Sequence, residues 1–456
     1  MALLHPSSTE AMRSEVDLWT LPSTVGNIER TRQQACKPTA GYTQSNTMTF
    51  HVPGTNALID AAHNMLHIVA EVVKADGSKL KDKESDVSLV NYGLHSIFSQ
   101  VDVTIGNTVV SQSSLTYPYR AHIEALLGYD RSAKESHMTM RGWFKDTAGH
   151  MDDFAGDKNE GLAARRKLVK NSRMFELMGP LHCDFLTNQA KFLLPNTDLT
   201  IKLTRSADAF ALMRGGNNSE NFVHLSCFPL ALMSTNKNEK IIIHDATLFF
   251  RKVELSPSLN LAHAQALEHA PARYPLTRTN VKTITIPAGL RDKTIANLHI
   301  GQIPKRIVVG FVSNIAFNGS YHHNPFNYQN FDLNYMVLYV DTEQIPAVPL
   351  TPDFSKGTYM QAYNTLFCGT GIHWKDEGNN ISYDEYGNGY TLYAFDLTPD
   401  LSSHEAHWNL QKQGVVRLDV RFRAELPIAV NCVVYSEFDN LVEISKDRHV
   451  VVDYNV

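Results

Sequence analysis

Period-two alternation of apolar and polar residues recurs along this chain and restricts its fold more than any other feature. Val415 to Arg423 shows it most clearly: Val416, Leu418, Val420 and Phe422 point one way, and Arg417, Asp419, Arg421 and Arg423 the other. Successive side chains of a strand face opposite sides, so such a run builds a sheet with one buried and one wet face. Ser45–Val52, Met65–Val73, Ile97–Val110, Leu199–Leu203 and Lys240–Val253 read as further strands in the first half. Ala75-Asp76-Gly77 and Gly106-Asn107 supply turns beside two of them. The second half repeats the style at Val281–Ile286, Ile307–Val312, Leu333–Val340, Leu392–Leu397, Val430–Glu437 and His449–Tyr454.

Helical spacing is rare. Pro118–Met138 carries Ile123, Leu126 and Leu127 on one face, with proline near its first turn. Ser355–Phe367 places Met360, Tyr363 and Phe367 on one stripe. Ser256–Pro275 reads as a connector around a short helical stretch, Leu261–His269. The expected fold is all-β: two consecutive eight-stranded jelly-roll sandwiches with short inserted helices. The expected boundaries are an extended N-terminal arm over 1–40, one sandwich over 41–255 and a second over 256–456.

Composition removes several classes of function. The 456 residues suffice for two large sandwiches, and 43% hydrophobic against 20% charged residues excludes a disordered chain. Lys+Arg of 42 against Asp+Glu of 47 gives a net charge of -5, which speaks against a surface that wraps nucleic acid by counterion release. Cys36, Cys183, Cys227, Cys368 and Cys432 are scattered and odd in number, so they read as buried or free thiols. Met1–Thr20 has no continuous apolar run, and no window is long and apolar enough for a membrane-spanning helix. Asn217, Asn318 and Asn380 head Asn-x-Ser triplets that read as chance matches.

Motifs with catalytic or metal-binding chemistry are weak. His322-His323 would point to opposite faces of a strand, and His404 and His407 lack the spacing of a helical zinc site. Asp384–Gly389 lacks the closing glutamate of a calcium loop and reads as a plain loop. Asp152-Asp153 sits in a polar stretch with no visible partner, and Ala163–Lys170 reads as a basic solvated face. No cofactor, metal or catalytic set is expected, which leaves a structural or binding role in front.

Five segments carry a family resemblance. Asn91–Val103, with Leu94-His95-Ser96-Ile97-Phe98-Ser99-Gln100-Val101 at its centre, resembles an N-x-x-LHSLFSQVxV segment. Tyr117-Pro118-Tyr119-Arg120-Ala121 through Tyr129 resembles YPYRAYxExLLxY. Gly179–Phe185 then precedes Leu193-Leu194-Pro195, with Cys183 a departure. Ile303–Gly310 leads into Ala316–Tyr321, and Asn324–Tyr328 is followed by Tyr339-Val340-Asp341 and Ile345-Pro346. In this order, from Ser14 to Val451, they resemble the double jelly-roll major capsid proteins of the polinton (Maverick) and adintovirus type, relatives of virophage, adenovirus and large-DNA-virus capsid proteins.

The resemblance implies a homotrimer shaped as a pseudo-hexameric capsomer. Such capsomers tile an icosahedral shell around a double-stranded DNA genome. It further implies contacts with neighbouring capsomers, a single jelly-roll penton and minor capsid proteins. The protein would be made in the host cytoplasm, assembled there or in the nucleus, and located in the virion capsid. Short loops above the shell are expected for so compact a chain. Candidate interface residues are aromatics of irregular segments: Trp19, Tyr321, Phe326, Tyr328 and Phe331. Two other classes stay open: a minor capsid or fibre-like β-sandwich that binds a receptor or carbohydrate, and a sandwich hydrolase. The hydrolase would need two carboxylates about 5–10 Å apart.

Overall fold

Alternation becomes sheet geometry in the computed structural model, which describes residues 5–39, 45–81, 86–111, 114–154, 158–187, 191–215 and 239–453. The first half contains β1 (Ile28–Cys36), β2 (Thr47–Val52), β3 (Leu58–Lys74), β4 (Val87–Leu89), β5 (Phe98–Ile105), β6 (Thr108–Val109), β7 (Phe175–Gly179), β8 (Leu199–Arg205), β9 (Leu212–Arg214) and β10 (Glu239–Leu255). Between them lie α1 (Gly93–Ser96), α2 (Tyr117–Gly128), α3 (Arg131–Glu135), α4 (Glu160–Val169), α5 (Asp184–Thr187) and α6 (Asp208–Ala211). The connector is α7 (Pro257–His269), with proline at its first turn.

The second half contains β11 (Ala272–Ile286), β12 (Asp292–Gln302), β13 (Arg306–Ser313), β14 (Leu333–Val340), β15 (Glu343–Leu350), β16 (Leu392–Asp396), β17 (Gln413–Phe422), β18 (Val430–Ile444) and β19 (Val450–Val452). Its helices are α8 (Asn314–Asn318), α9 (Met360–Cys368) and α10 (Tyr383–Gly387).

The two halves share one topology. The first stacks sheet β1-β10-β3-β7 with sheet β2-β8-β5-β6, and β4 and β9 pair separately. The second stacks β11-β18-β13-β16 with β12-β17-β14-β15, and β19 adds to β18. With the eight sandwich strands of each half counted in chain order, both have first-eighth-third-sixth in one sheet and second-seventh-fourth-fifth in the other. That is the eight-stranded jelly roll, built twice in one chain. All ladders between these strands are antiparallel.

Inward-facing residues such as Phe50, Leu66, Ile68, Val103, Ile201, Leu418 and Val420 form the core, which continues without a break from one half into the other. Burying these side chains contributes about 1.5–3 kcal/mol each.

Several expectations are corrected. Residues 1–40 are not an arm throughout, because 28–36 form β1, paired along its length with β10. The first sandwich therefore begins at Ile28, and only the described residues before it extend outward. Asp384–Gly389 is not a plain loop: α10 is fixed there by a capping box between Ser382 and Glu385. The basic run is not simply a solvated face. Arg165 is fully buried, donating to the backbone oxygen of Leu89 and pairing with Asp146 at 2.5 Å, while Arg166 pairs with Asp86.

Asp152 does have partners, accepting from the Asn324 backbone N–H and the Asn327 side chain. Cys36, Cys183 and Cys432 are buried free thiols and Cys368 an exposed one. Asn217 and Cys227 lie outside the described residues.

Candidate functional site

Two features stand out: a polar-aromatic seam that locks the two sandwiches together, and a set of uncovered apolar side chains. The seam starts from α2. Its tyrosine-proline start sets the first turn, and nine of its twelve residues are buried, Arg120 and His122 among them. The helix packs on β5 of its own half and on β11 and β18 of the other.

Along α2, Arg120 and Glu124 are one turn apart and paired at 2.9 Å. Arg120 also meets Asp184 at 2.7 Å, and Asp184 accepts from the Thr279 backbone N–H of the second half. Glu124 contacts His182 Nδ1 at 2.6 Å, and His182 Nε2 meets the Tyr92 hydroxyl at 2.8 Å. The Tyr435 hydroxyl lies 3.3 Å from Glu124 and 2.9 Å from Glu437, which pairs with Arg306. A continuous ionic chain thus crosses from one sandwich to the other. Burial pushes the Glu124 carboxyl upward, but Arg120 and the His182 bond outweigh it and hold the group at about 2. Burial raises the Asp184 carboxyl from its ordinary value, against the pull of Arg120.

The aromatic part of the seam is made by the loop Asn324-Pro325-Phe326-Asn327-Tyr328. The Phe326 ring lies 4.1 Å from the His122 ring at an interplanar angle of 9°, and Trp143 stacks on His122 from 5.2 Å. Tyr119 and Phe210 meet Phe326 edge-on. Burial, then the charges of Lys134 and Arg165, depress His122 to about 3, so it packs as a neutral ring. Asn324 donates to Asp146 at 2.9 Å, and the same carboxylate holds Arg165. Gly310 in β13 leaves room for Tyr328, since a Cβ there would sit 2.9 Å from that ring.

The five aromatics singled out in the sequence separate cleanly. Phe326 and Tyr328 are 2% and 0% exposed, covered by residues of the same chain. Tyr321 is half-buried at the seam, its hydroxyl donating to the Glu239 carbonyl and its carbonyl accepting from Arg214. Phe331 is partly buried against the core. Trp19 alone of the five stands in solvent, 85% exposed. Sequence reasoning missed other exposed apolar residues of the second half, including Val348, Met360, Trp374, Leu401 and Leu410. Nothing in a loop sequence announces which side of a tryptophan or leucine will be left uncovered.

A polar cavity of about 530 Å³ opens beside the seam, lined by Glu124, His182, Lys305, Arg306, Tyr435 and Glu437 among others. Glu124, His182, Arg306 and Glu437 stand in the pairs already described, and Lys305 pairs with Asp439 at 3.3 Å. Among the described residues no group of three or more His, Cys, Asp or Glu side chains is placed to hold a metal ion. No described helix is long and apolar enough to cross a membrane.

No protein-family model matches the chain. A curated relative, the uncharacterized protein F54H12.2 of Caenorhabditis elegans, is 26% identical over 369 residues, covering 80% of this chain and 81% of its own. Among solved structures, a chain of the Sputnik virophage superposes with a TM-score of 0.65 at 13% identity, covering 98% of this chain and 93% of that one. The capsid chain of PBCV-1 virus gives 0.58 at 10% identity, covering 96% and 99%. The major capsid protein of mavirus gives 0.53 at 11% identity, covering 100% and 96%. The fold of this chain is the double jelly roll of those viral major capsid proteins.

Proposed function

We propose that this chain is the major capsid protein of a double-stranded DNA virus or virus-like mobile element, of the polinton/Maverick–adintovirus type. The observation that carries the reading is the pair of jelly rolls with one topology, locked by the seam into a single unit. Two such sandwiches side by side supply two sectors of a hexagon, and three copies supply six. A cyclic trimer closes such a ring, and weaker contacts between rings tile a shell. Its trimer contacts would bury on the order of 2,000 Å² or more and be rather apolar. The exposed Val348, Trp374, Leu401 and Leu410 are available for this.

The lineage assignment rests on the five sequence segments, and the nematode relative is compatible with an element found in animal genomes. The role is structural, without catalysis or a cofactor. A separate penton and minor capsid proteins would complete the virion capsid.

Size-exclusion chromatography with light scattering, followed by negative-stain imaging, tests the reading. A stable species of three chain masses and closed shells are expected. A persistent monomer that binds carbohydrate would favour the fibre-like alternative instead.

A further inference from the structure

The described residues before β1 form an extended segment with a short helical turn at Ser14–Val16 and no buried residue. Met12, Val16, Leu18, Trp19, Leu21 and Val25 are 61% to 85% exposed. Six large apolar side chains held in water within one short segment is costly, and uncovered patches of this kind mark contact sites.

The chain also has an uncovered groove of about 400 Å³ with an apolar floor of Leu58, Phe192, Leu194, Leu267 and Tyr274. One wall is α7, which has no fully buried residue of its own. Leu58 and Phe192 belong to a small apolar cluster that includes Ile28, the residue where the segment joins β1. The groove is therefore continuous with the root of the arm.

The basic side chains that line the groove are Lys191, His263 and Arg273, the last of which also meets Glu443 at 3.0 Å. The segment from 5 to 27 carries Glu10, Glu15 and Asp17 against Arg13. Charge on the two surfaces is thus complementary. Residues 5–27 extended span at most about 75 Å, enough to leave one molecule and cross an adjoining one.

Resting on the capsomer reading above, we propose that the arm of one copy lies in this groove of a second copy, with Trp19 and its apolar neighbours on the groove floor. Repeated head to tail, arm-in-groove contacts close a ring, so each copy both gives and receives an arm. The occupant is a second copy because each chain presents both surfaces, while its own arm stands in solvent.

Two measurements on the full chain test this. In a Cys368→Ala background, Trp19→Cys with Leu267→Cys should give covalent dimers and trimers on a non-reducing gel. Separately, Trp19→Asp, on a segment that supports none of the core, should raise the concentration at which trimers dissociate at least tenfold, read by light scattering. The idea falls if a trimeric protein forms only internal disulfides or none, or if Trp19→Asp leaves the dissociation concentration unchanged. A wild-type chain that is monomeric throughout would overturn the capsomer reading and the arm exchange together. A trimer with no arm crosslink overturns only the exchange.

Discussion

The sheet β1-β10-β3-β7 of the first half and the sheet β11-β18-β13-β16 of the second have the same strand order but different surroundings. Along β3, Leu66, Ile68, Ala70 and Val72 are buried, while Met65, His67, Val69 and Glu71 alternate with them and are half-covered. Its outer face carries polar side-chain contacts such as His244 with Glu71 and His67 with Glu176. In β13 every residue from Ile307 to Ser313 is buried, and β18 is buried over most of its length. One face of the second sheet meets its own sandwich, while α2 packs on β11 and β18 and α9 on β16. Equal topology thus serves unequal tasks: the second sheet is the platform on which the first half is mounted, and the first sheet keeps a face for solvent or partners.

If the platform reading is right, the largest loss should come from the plug that crosses it. Phe326→Ala removes a ring packed against Tyr119, His122 and Phe210, and should cost about 3–5 kcal/mol, read as a lower urea midpoint. A value below about 1 kcal/mol would mean the halves are held elsewhere. Arg120→Met comes next. It strands Asp184 and Glu124 without their cation, a change that typically costs about 3–5 kcal/mol when such a pair is buried. An unchanged midpoint there would break the claim that the ionic chain holds the seam.

The same chain predicts an acid dependence. The Glu124 carboxyl is depressed from 4.5 to about 2, so its contribution is fully present above 4.5 and is lost as pH falls towards 2. By linkage the effect is on the order of 3 kcal/mol. Burial raises Asp184, which acts in the opposite sense, so the net slope is smaller than Glu124 alone would give. Melting temperature followed from pH 5 to pH 2 should fall in the wild type and fall less in Glu124→Gln. Parallel curves for the two proteins would remove Glu124 from the account.

How much of this could be read from sequence depended on whether a residue's role was local. Strands with one wet face, such as β8 and β17, follow directly from alternation, and β13 shows as a continuous apolar run because both its faces are covered. By contrast β1, Ile-Glu-Arg-Thr-Arg-Gln-Gln-Ala-Cys, has polar residues on both faces as an edge strand largely in solvent, so no alternation marks it. β15 carries Pro346 and Pro349, which argue against a central strand, and it lies at a sheet edge. The capping box of α10 was legible in Ser382 and Glu385 and could have been found.

The seam was half legible. Arg120 and Glu124 show their one-turn spacing, but Asp184, Thr279 and Tyr435 reach them only through the tertiary fold. Phe326 illustrates the limit. An aromatic in an irregular segment reads equally as a subunit contact or as an intrachain plug, and only the position of α2 decides.

The smallest effect is also the most direct test of the unequal sheets. Val308 in β13, which lines the cavity beside Ile123 and Glu124 of α2, and Val69 in β3 are the same residue type on the outer faces of sheets of the same order, at 1% exposure and half-covered respectively. Val308→Ala deletes methyl groups from a strand packed on both faces, and should cost about 2 kcal/mol. Val69→Ala acts on the outer face of β3, where water already reaches the side chain, and should cost less than about 1 kcal/mol. Urea midpoints of the two variants compare the sheets with chemistry held constant. Equal losses would mean that the outer face of the first sheet is as constrained as the platform. If the losses become equal only after trimers form, that face is a subunit contact, because assembly would then bury Val69 as the first half already buries Val308.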